Sequence, residues 1–500
     1  MTESAQGGAA GPRKDAHSPL GLLLGLGLFA AMLLLPPPEG MSPVAWRVAA
    51  VAVLMASWWV TEAIPIPATG LLPLILFPLL GIANIGQASA PYADPLIFLF
   101  LGGFLVALAL ERWNLHRRIA LRTVALVGTR PPALVGGFML ATAFLSMWVS
   151  NTATAVMMLP IGLSVIALLE DGARQDGDGQ DGQAKAGGFA TALLLGIAYA
   201  ASIGGLGTLI GTPPNALLAG FMSRTYGVEI GFAQWMVIGV PLVVLLLSCT
   251  WLLLTRLVFA LPRGDLGGAS ALLHAELGRL GPMSGPEKRV AVVFAAMAAL
   301  WVVRPLLGDL VPGINDTGIA IAAALALFIL PAGRGQGGAA LLGWDAARRL
   351  PWGVLLLFGG GLSLAAAITR SGLAEWIGAA LGGFGVLPVL IVVLVVTAAI
   401  VFLTELTSNT ATAAAFLPLV ASLAPALGAD PFLLTIPTAL AASCAFMMPV
   451  ATPPNAIVYG SGHLTIAQMA RAGFWLNLLS IAVIVGLAWL AVGRLFAVPG

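Results

Sequence analysis

Residues 150–160 read SNTATAVMMLP and residues 408–418 read SNTATAAAFLP, so the two stretches are identical at eight of eleven positions. Each copy places a polar Ser-Asn-Thr group in the middle of a long apolar stretch. In hydrocarbon, a backbone group without a hydrogen-bond partner costs several kcal/mol, so such a polar group must face protein or water. The pair of copies therefore predicts two matched polar turns inside an apolar protein.

The repetition extends to the sequence on both sides of each copy. A proline pair follows downstream, in GTPPNALL at 211–218 and in ATPPNAIV at 451–458. A glycine-containing apolar stretch precedes each copy, at 95–110 and at 351–367. Three matched blocks in one order indicate that the chain is internally duplicated.

The composition excludes whole classes of protein. Of the 500 residues, 59% are hydrophobic and only 9% are charged, and the mean hydropathy is +0.99. Soluble domains carry about 25% charged residues, so a soluble enzyme is excluded. Long apolar runs differ from the alternating strands of an outer-membrane barrel. The net charge of +2 indicates no nucleic-acid partner, and two separated cysteines form no disulfide framework. The chain is predicted to be an all-α polytopic membrane protein.

A membrane-spanning helix needs about 20 mostly apolar residues, and eleven stretches meet this criterion. Two further stretches, 132–168 and 385–425, are about twice that length and contain the Ser-Asn-Thr groups, so each is predicted to be a re-entrant helical hairpin. The first stretch is too long for a signal-peptide core and lacks a small-residue cleavage site, so it is kept as a helix. The eleven predicted spans lie near 19–36, 44–63, 69–85, 95–111, 188–220, 233–258, 290–306, 314–332, 352–369, 432–460 and 473–495.

The basic residues orient these spans. With a cytoplasmic N-terminus, eighteen of the 23 Lys and Arg residues fall on the cytoplasmic side, as the positive-inside rule requires. This layout places the chain in the inner cell membrane with the C-terminus on the opposite side, and it makes the two halves inverted copies. Inverted repeats are typical of secondary transporters, which bind substrate at the repeat interface near the bilayer midplane. A duplicated bundle without transport activity and an anion channel are the alternatives.

Three less apolar segments connect these elements. Residues 111–130 and 370–384 suit helices that lie in the membrane interface, and an ordinary loop is the alternative for each. The insert at 171–188, DGARQDGDGQDGQAKAGG, accounts for the extra length between the matched blocks of the first half. Its composition predicts a disordered cytoplasmic loop.

The matched motifs suit an anion bound together with cations. Helix N-termini at the hairpin tips would present free N–H groups and positive dipole ends to an anion. Consecutive prolines break a helix, and broken helices hold ions and substrate in transporters. A simple kink is the alternative for either proline pair alone. No Lys or Arg lies in the four motifs, so bound cations would supply the positive charge.

Two carboxylates, Glu62 and Glu405, are embedded in apolar sequence. Such residues are costly in a membrane and are often functional. Glu405 lies three residues before the second Ser-Asn-Thr, and it is expected either to brace the hairpin through hydrogen bonds or to contact coupling ions or protons. The sequence lacks the motifs of ATP-driven transport, metalloproteases and serine hydrolases, which disfavours an intramembrane enzyme. No organic cofactor is expected.

The paired Ser-Asn-Thr hairpins, the paired Thr-Pro-Pro-Asn breaks and WWVTEAIPIPATGLLP at 58–73 resemble the divalent anion:sodium symporter family, whose members transport dicarboxylates, citrate and sulfate. The resemblance implies a homodimer whose transport domains slide against a fixed scaffold, which is an elevator mechanism. It implies a scaffold made of 1–130 and 262–384 and a transport domain made of 131–261 and 385–500.

The resemblance also implies the residues of the site. Substrate contacts are expected at Asn151, Thr152, Thr212, Pro213, Asn409, Thr410, Thr452 and Pro453. One sodium site is expected at Ser146, Ser150, Asn151 and Gly211, and a second at Thr404, Thr407, Asn409 and Ala451. Ser146 and Thr404 each lie four residues before their Ser-Asn-Thr, one helical turn away on the same face.

The leading hypothesis is sodium-coupled symport of a C4-dicarboxylate dianion such as succinate, malate or fumarate. Both Ser-Asn-Thr copies and both sets of hydroxyl groups are intact, which favours sodium coupling. A sodium-coupled sulfate or tricarboxylate transporter and a sodium-independent dicarboxylate exchanger are the alternatives.

Overall fold

The computed structural model of the protein describes residues 19–175, 179–262, 267–307, 311–333, 338–380 and 388–492. These residues form helices joined by short connections, together with one isolated antiparallel bridge between Pro331 and Ala340. Eight of the described helices are long and apolar enough to cross a membrane. The expected all-helical, multi-pass architecture is confirmed, and the total of eleven spans stays a prediction.

The helices follow the duplication found in the sequence. In the first half they are Pro19–Leu34, Pro43–Thr61, Ile66–Thr69, Leu72–Leu79, Ile85–Ser89, Ala90–Ala93, Pro95–Arg112, Leu115–Val127, Pro131–Ser146, Asn151–Gln175, Gly179–Gly205, Pro213–Tyr226, Phe232–Leu252 and the π-helical Leu253–Val258. In the second half they are Gly267–Leu280, Gly285–Leu307, Asp316–Ile329, Trp344–Ala347, Trp352–Arg370, Leu373–Ala380, Val389–Thr404, Asn409–Ala421, Pro425–Leu427, Phe432–Ala442, Pro453–Tyr459, Ile466–Leu487 and the π-helical Ala488–Val492.

Each predicted hairpin folds as two helices joined by a four-residue tip. The first tip, residues 147–150, follows Pro131–Ser146, and the second tip, residues 405–408, follows Val389–Thr404. In both hairpins the returning helix begins at the Asn of Ser-Asn-Thr and packs against its partner. Ser and Asn bond to nearby backbone groups and therefore favour helix starts over helix interiors, which explains why the chain turns here in both halves.

Both proline pairs interrupt a helix, as predicted. The first break, residues 206–212, precedes Pro213–Tyr226, and the second break, residues 443–452, precedes Pro453–Tyr459. The threonine before each proline pair has an extended backbone, with φ of −145° and −140°. Proline suits the first position of a helix because its missing N–H would have no partner there. A simple kink is wrong, because seven and ten residues leave the helix in the two breaks.

The two halves interlock through the helices that follow the breaks. Pro213–Tyr226 packs against the second hairpin, and Pro453–Tyr459 packs against the first hairpin. The helix Gly179–Gly205 lies at the centre, where every residue from 189 to 212 is buried. A Cβ atom on Gly204 would lie 2.3 Å from the carbonyl oxygen of Ala143. The first hairpin and the first broken helix therefore meet backbone to backbone.

Two segments differ from the sequence predictions. The span expected at 69–85 consists of short helices, because the chain turns at Gly70, whose carbonyl oxygen accepts the Tyr92 hydroxyl at 2.5 Å. The expected disordered loop at 171–188 is helical at 171–175 and 179–188, and residues 176–178 lie outside the described residues. Extending a helix that has already formed costs little per residue, so the flanking helices continue into polar sequence.

The two connecting segments are helices rather than ordinary loops. They form Leu115–Val127 and Leu373–Ala380, while residues 381–384 of the second segment lie outside the described residues. A buried ion pair fastens the first of these helices, since Nε of Arg118 lies 2.5 Å from Oε1 of Glu287 at the start of Gly285–Leu307. The position of these helices relative to a membrane stays a prediction.

Candidate functional site

A cavity of about 1420 Å³ lies between the two tips and the two breaks. All eight residues expected to contact the substrate line this cavity: Asn151, Thr152, Thr212, Pro213, Asn409, Thr410, Thr452 and Pro453. The fold therefore brings together four motifs that lie far apart in the sequence. Their convergence gives one candidate site that is built equally from both halves.

The first tip concentrates oxygen atoms around one buried hydroxyl. Oγ of Ser146 lies 2.5 Å from Oδ1 of Asn151 and 2.6 Å from the carbonyl oxygen of Ala201. A serine hydroxyl has a single hydrogen to donate, so it can bridge only one of these two contacts. Three oxygens that share one hydrogen form an electron-rich cluster, and oxygen ligands of this kind suit a hard cation.

The second tip repeats this arrangement. Oγ1 of Thr404 lies 2.8 Å from Oδ1 of Asn409 and 2.9 Å from the carbonyl oxygen of Ala442. Thr404 is fully buried, as Ser146 is in the first half. The two halves thus build matching oxygen clusters from a hydroxyl, an amide oxygen and a carbonyl of a neighbouring helix.

The remaining expected sodium ligands lie in front of these clusters. Three residues of each set line the cavity, while Ser146 and Thr404 lie behind the asparagines to which they bond. The cavity-lining members are Ser150, Asn151 and Gly211 in the first half and Thr407, Asn409 and Ala451 in the second half. Hydroxyl, amide and carbonyl oxygens are the ligands available to a cation at both places.

A residue that the sequence analysis did not assign holds each break in shape. The side-chain amide of Asn215 donates to the carbonyl oxygens of Gly205 and Thr208, at 3.2 and 2.8 Å. Asn455 donates in the same way to the carbonyl oxygens of Ala445 and Met448, at 3.3 and 3.0 Å. Both asparagines are fully buried. The signal for this role was the Asn that ends Thr-Pro-Pro-Asn in both copies.

Glycine is required where the first tip meets the first break. A Cβ atom on Gly205 would lie 3.0 Å from the carbonyl oxygen of Gly211 and 3.1 Å from Oδ1 of Asn151. A Cβ atom on Gly211 would lie only 2.5 Å from the carbonyl oxygen of Gly205. The expected ligand Asn151 is therefore positioned by direct contact with a backbone that has no side chain.

Glu405 ties the second tip to the second break. Its carboxylate accepts hydrogen bonds of 2.7–3.1 Å from the backbone amides of Phe446, Met447 and Met448. The side-chain amide of Asn477 donates to the same carboxylate at 2.8 Å. Glu405 thus braces the hairpin through hydrogen bonds, as one of the two sequence expectations proposed, and Asn477 is a partner that the sequence analysis missed.

The wall of the cavity opposite the motifs carries charge. Glu62, which sequence analysis singled out, lines this wall together with Glu111 and Arg349. The four motifs contain no Lys or Arg, yet the cavity includes one guanidinium from outside them. Sequence reasoning missed Glu111 and Arg349 because each lies at the end of an apolar stretch, where charged residues usually mark a membrane boundary.

Comparison with known proteins gives one family match over nearly the whole chain. Residues 17–495 match the family described as the sodium:sulfate symporter transmembrane region. The sodium-dependent dicarboxylate transporter SdcS of Staphylococcus saprophyticus is 47% identical over 469 residues, which cover 93% of this chain and 90% of the relative. SdcS of Staphylococcus aureus USA300 is 46% identical over 470 residues, with 93% and 89% covered.

A solved structure shares the fold. The YdaH transporter of Alcanivorax borkumensis superposes with a TM-score of 0.60 at 13% sequence identity, and the match covers 96% of this chain and 100% of that chain. At this identity the likeness concerns the fold alone.

Proposed function

Because this chain belongs to the family of the sodium:sulfate symporter transmembrane region, we propose that it is a secondary transporter that carries a dicarboxylate dianion across the membrane together with sodium ions. The staphylococcal relatives are named sodium-dependent dicarboxylate transporters, which supports sodium as the coupling ion and a dicarboxylate as the substrate. The observation that carries the proposal is the convergence of both tips and both breaks on one cavity.

The anion would be held without a fixed cation in the motifs. The helices Asn151–Gln175 and Asn409–Ala421 begin at the cavity, so their first N–H groups and positive dipole ends are available to a carboxylate. The side chains of Asn151, Thr152, Asn409 and Thr410 add neutral donors along the same wall. A dianion has two carboxylates, and the duplicated motifs offer one matched set of donors to each.

The sodium ions would occupy the two oxygen clusters beside the anion. The first set is Ser146, Ser150, Asn151 and Gly211, and the second set is Thr404, Thr407, Asn409 and Ala451. Each cluster has more close oxygen atoms than hydrogens to share among them, which a bound cation would relieve. Because Asn151 and Asn409 belong both to the ion sets and to the substrate wall, binding of sodium would order the residues that meet the anion.

Transport would proceed by an elevator motion in a homodimer. We assign the scaffold to 1–130 and 262–384 and the transport domain to 131–261 and 385–500. The cavity is lined by both parts, with Glu62, Glu111 and Arg349 on the scaffold side and the motifs on the transport side. These three charged residues lie at helix ends that the basic-residue bias assigns to the cytoplasm, which favours a cavity open to the cytoplasm with the N-terminus on the same side.

Uptake into proteoliposomes tests this proposal. The protein should accumulate labelled succinate when a sodium gradient is imposed and should fail to do so when choline replaces sodium. Excess unlabelled malate and fumarate should inhibit uptake. Succinate uptake that is equal in sodium and choline would contradict sodium coupling.

Sulfate is the second candidate substrate, because the family description names sulfate. Sulfate is also a dianion, and a site made of neutral donors and bound cations can accept it by the same chemistry. Citrate and sulfate as competitors in the same assay rank these substrates. Strong inhibition by sulfate, with little inhibition by malate, would move the assignment from a dicarboxylate to sulfate.

A further inference from the structure

The two halves of the site match residue by residue except at one buried position. Counting back from Ser-Asn-Thr, the second tip has Glu405 where the first tip has Met147. Ser146 corresponds in the same way to Thr404, and Asn215 corresponds to Asn455. A single carboxylate therefore distinguishes two oxygen clusters that otherwise share their chemistry.

Every polar contact of Glu405 comes from a donor. Three consecutive backbone amides and the side-chain amide of Asn477 point their hydrogens at the two carboxylate oxygens, and Met447 bonds to both. A protonated carboxyl would need an acceptor for its own hydrogen, whereas an ionised carboxylate only accepts. The geometry therefore fits an ionised Glu405 that is 4% exposed.

The first half satisfies the equivalent backbone without a charge. The amides of Leu206 and Gly207 bond to the carbonyl oxygens of Ile203 and Gly204, at 3.0 and 2.9 Å. The Thr208 hydroxyl donates to the carbonyl oxygen of Met147 at 2.5 Å. A carboxylate is thus not a general requirement for shaping such a break, and its presence in the second half calls for a separate reason.

The charge of Glu405 has no fixed counter-ion. In the described part of the chain, no Lys, Arg or His forms an ion pair with it. Its sequence neighbour Thr404 belongs to the second oxygen cluster, and its bonding partner Met448 lies three residues before Ala451. A buried negative charge beside an electron-rich cluster attracts a cation strongly, since the interior screens charge less than water does.

We infer that Glu405 is an electrostatic positioning residue that makes the second sodium site bind its cation more tightly than the first. The inference rests on the proposed function, because it assumes that both oxygen clusters bind sodium. Glu405 itself is not a ligand, since its oxygens are already occupied by N–H donors. Two sites that look alike in sequence would therefore fill at different sodium concentrations.

The sodium dependence of Glu405→Gln tests this inference. The variant removes the charge and keeps the shape and one acceptor oxygen. Sodium titrations of succinate uptake in proteoliposomes, and of the melting temperature of the purified protein in detergent, should both shift to about tenfold higher sodium. An unchanged sodium titration in both measurements would overturn the inference.

Two further variants separate charge from structure. Asn477→Ala removes a donor to the carboxylate and keeps the charge, so its half-saturating sodium concentration should stay within about twofold of the wild type, whatever its maximal uptake. Glu405→Asp keeps the charge on a shorter side chain, so it should restore most of the sodium affinity even where Glu405→Gln folds poorly. A sodium shift in either variant as large as that of Glu405→Gln would mean that the brace matters and the charge does not.

The wild-type protein distinguishes this inference from the proposed function. If the wild type shows no sodium-dependent uptake and no sodium-dependent melting temperature, the proposed function fails. If the wild type shows both and Glu405→Gln shows the same sodium dependence, only the inference fails.

Discussion

At the residue scale, the site depends on a few side chains that have no nearby substitute. Asn151 and Asn409 each accept a bond from a buried hydroxyl and line the cavity, so each joins an oxygen cluster to the substrate wall. Neither can be replaced by a neighbour, because the returning helix begins at this residue in both hairpins. Substitutions at these two positions should therefore affect transport more than stability.

Asn151→Ala and Asn409→Ala should each abolish sodium-dependent uptake, with at least about a tenfold loss for the removal of one charge-assisted contact. The measurement is succinate uptake in proteoliposomes, with size-exclusion profiles to confirm folding. Asn84→Ala is the matched control, because Asn84 caps a five-residue helix and is exposed. Full activity of both site variants would refute the assignment of the motifs.

The buried hydroxyls should determine sodium affinity. Ser146→Ala and Thr404→Val each remove an oxygen from a cluster, and we expect the half-saturating sodium concentration to rise by about fivefold to thirtyfold, which corresponds to about 1–2 kcal/mol. Thr404→Ser keeps the hydroxyl and should retain sodium affinity near that of the wild type. Equal sodium titrations for Thr404→Val and Thr404→Ser would show that the hydroxyl is not a ligand.

At the element scale, the tips and breaks were predictable because no other local structure suits their sequence. Polar residues in an apolar run and consecutive prolines leave the backbone little alternative to a turn or a break. The short helices at 66–79 were not predictable, since the turn at Gly70 depends on Tyr92 from a later segment. Arg349 and Asn477 were missed for the same reason, because tertiary packing brings them to the cavity and to Glu405.

The contact between the first tip and the first break should not tolerate a methyl group. Gly205→Ala would place Cβ against the Gly211 carbonyl and Asn151, so the tip would have to shift by a few tenths of an ångström. We expect uptake to fall by about tenfold, because a small displacement of binding groups is costly. Gly486→Ala, where nothing lies within 4 Å of the added methyl, should keep normal uptake. Normal uptake by Gly205→Ala would contradict a closely fitted tip.

The ion pair between the connecting helix and the second half should contribute to stability rather than to transport. Arg118 and Glu287 are both buried, and removing one partner leaves an uncompensated charge that costs about 3–5 kcal/mol. Arg118→Ala should therefore lower the melting temperature in detergent clearly, and Arg118→Met combined with Glu287→Met should recover part of the loss. Melting temperatures that are equal for the wild type and Arg118→Ala would contradict this role.

At the scale of the whole molecule, both tips should face one aqueous cavity. Ser150 and Ser408 line it together, so Ser150→Cys and Ser408→Cys should both react with a water-soluble maleimide. Saturating succinate and sodium should protect both positions. The background is simple, because Cys249 and Cys444 are the only cysteines in the sequence and can be replaced by alanine.

Gly278→Cys provides the control for this labelling. Gly278 is exposed and does not line the cavity, so it should react equally with and without succinate. Protection of Ser150→Cys without protection of Ser408→Cys would place the two tips in separate environments. That result would contradict a site shared by both halves.

The interlocking of the halves has a consequence for biosynthesis. The ribosome delivers the first hairpin and Pro213–Tyr226 to the membrane long before it has made Asn409–Ala421, against which Pro213–Tyr226 packs in the finished protein. Until then, the polar tip and the open backbone of the first break lack their final neighbours. The nascent first half must therefore wait, shielded by the insertion machinery or by a chaperone, and a chain truncated before its second half is a natural target for membrane quality-control proteases.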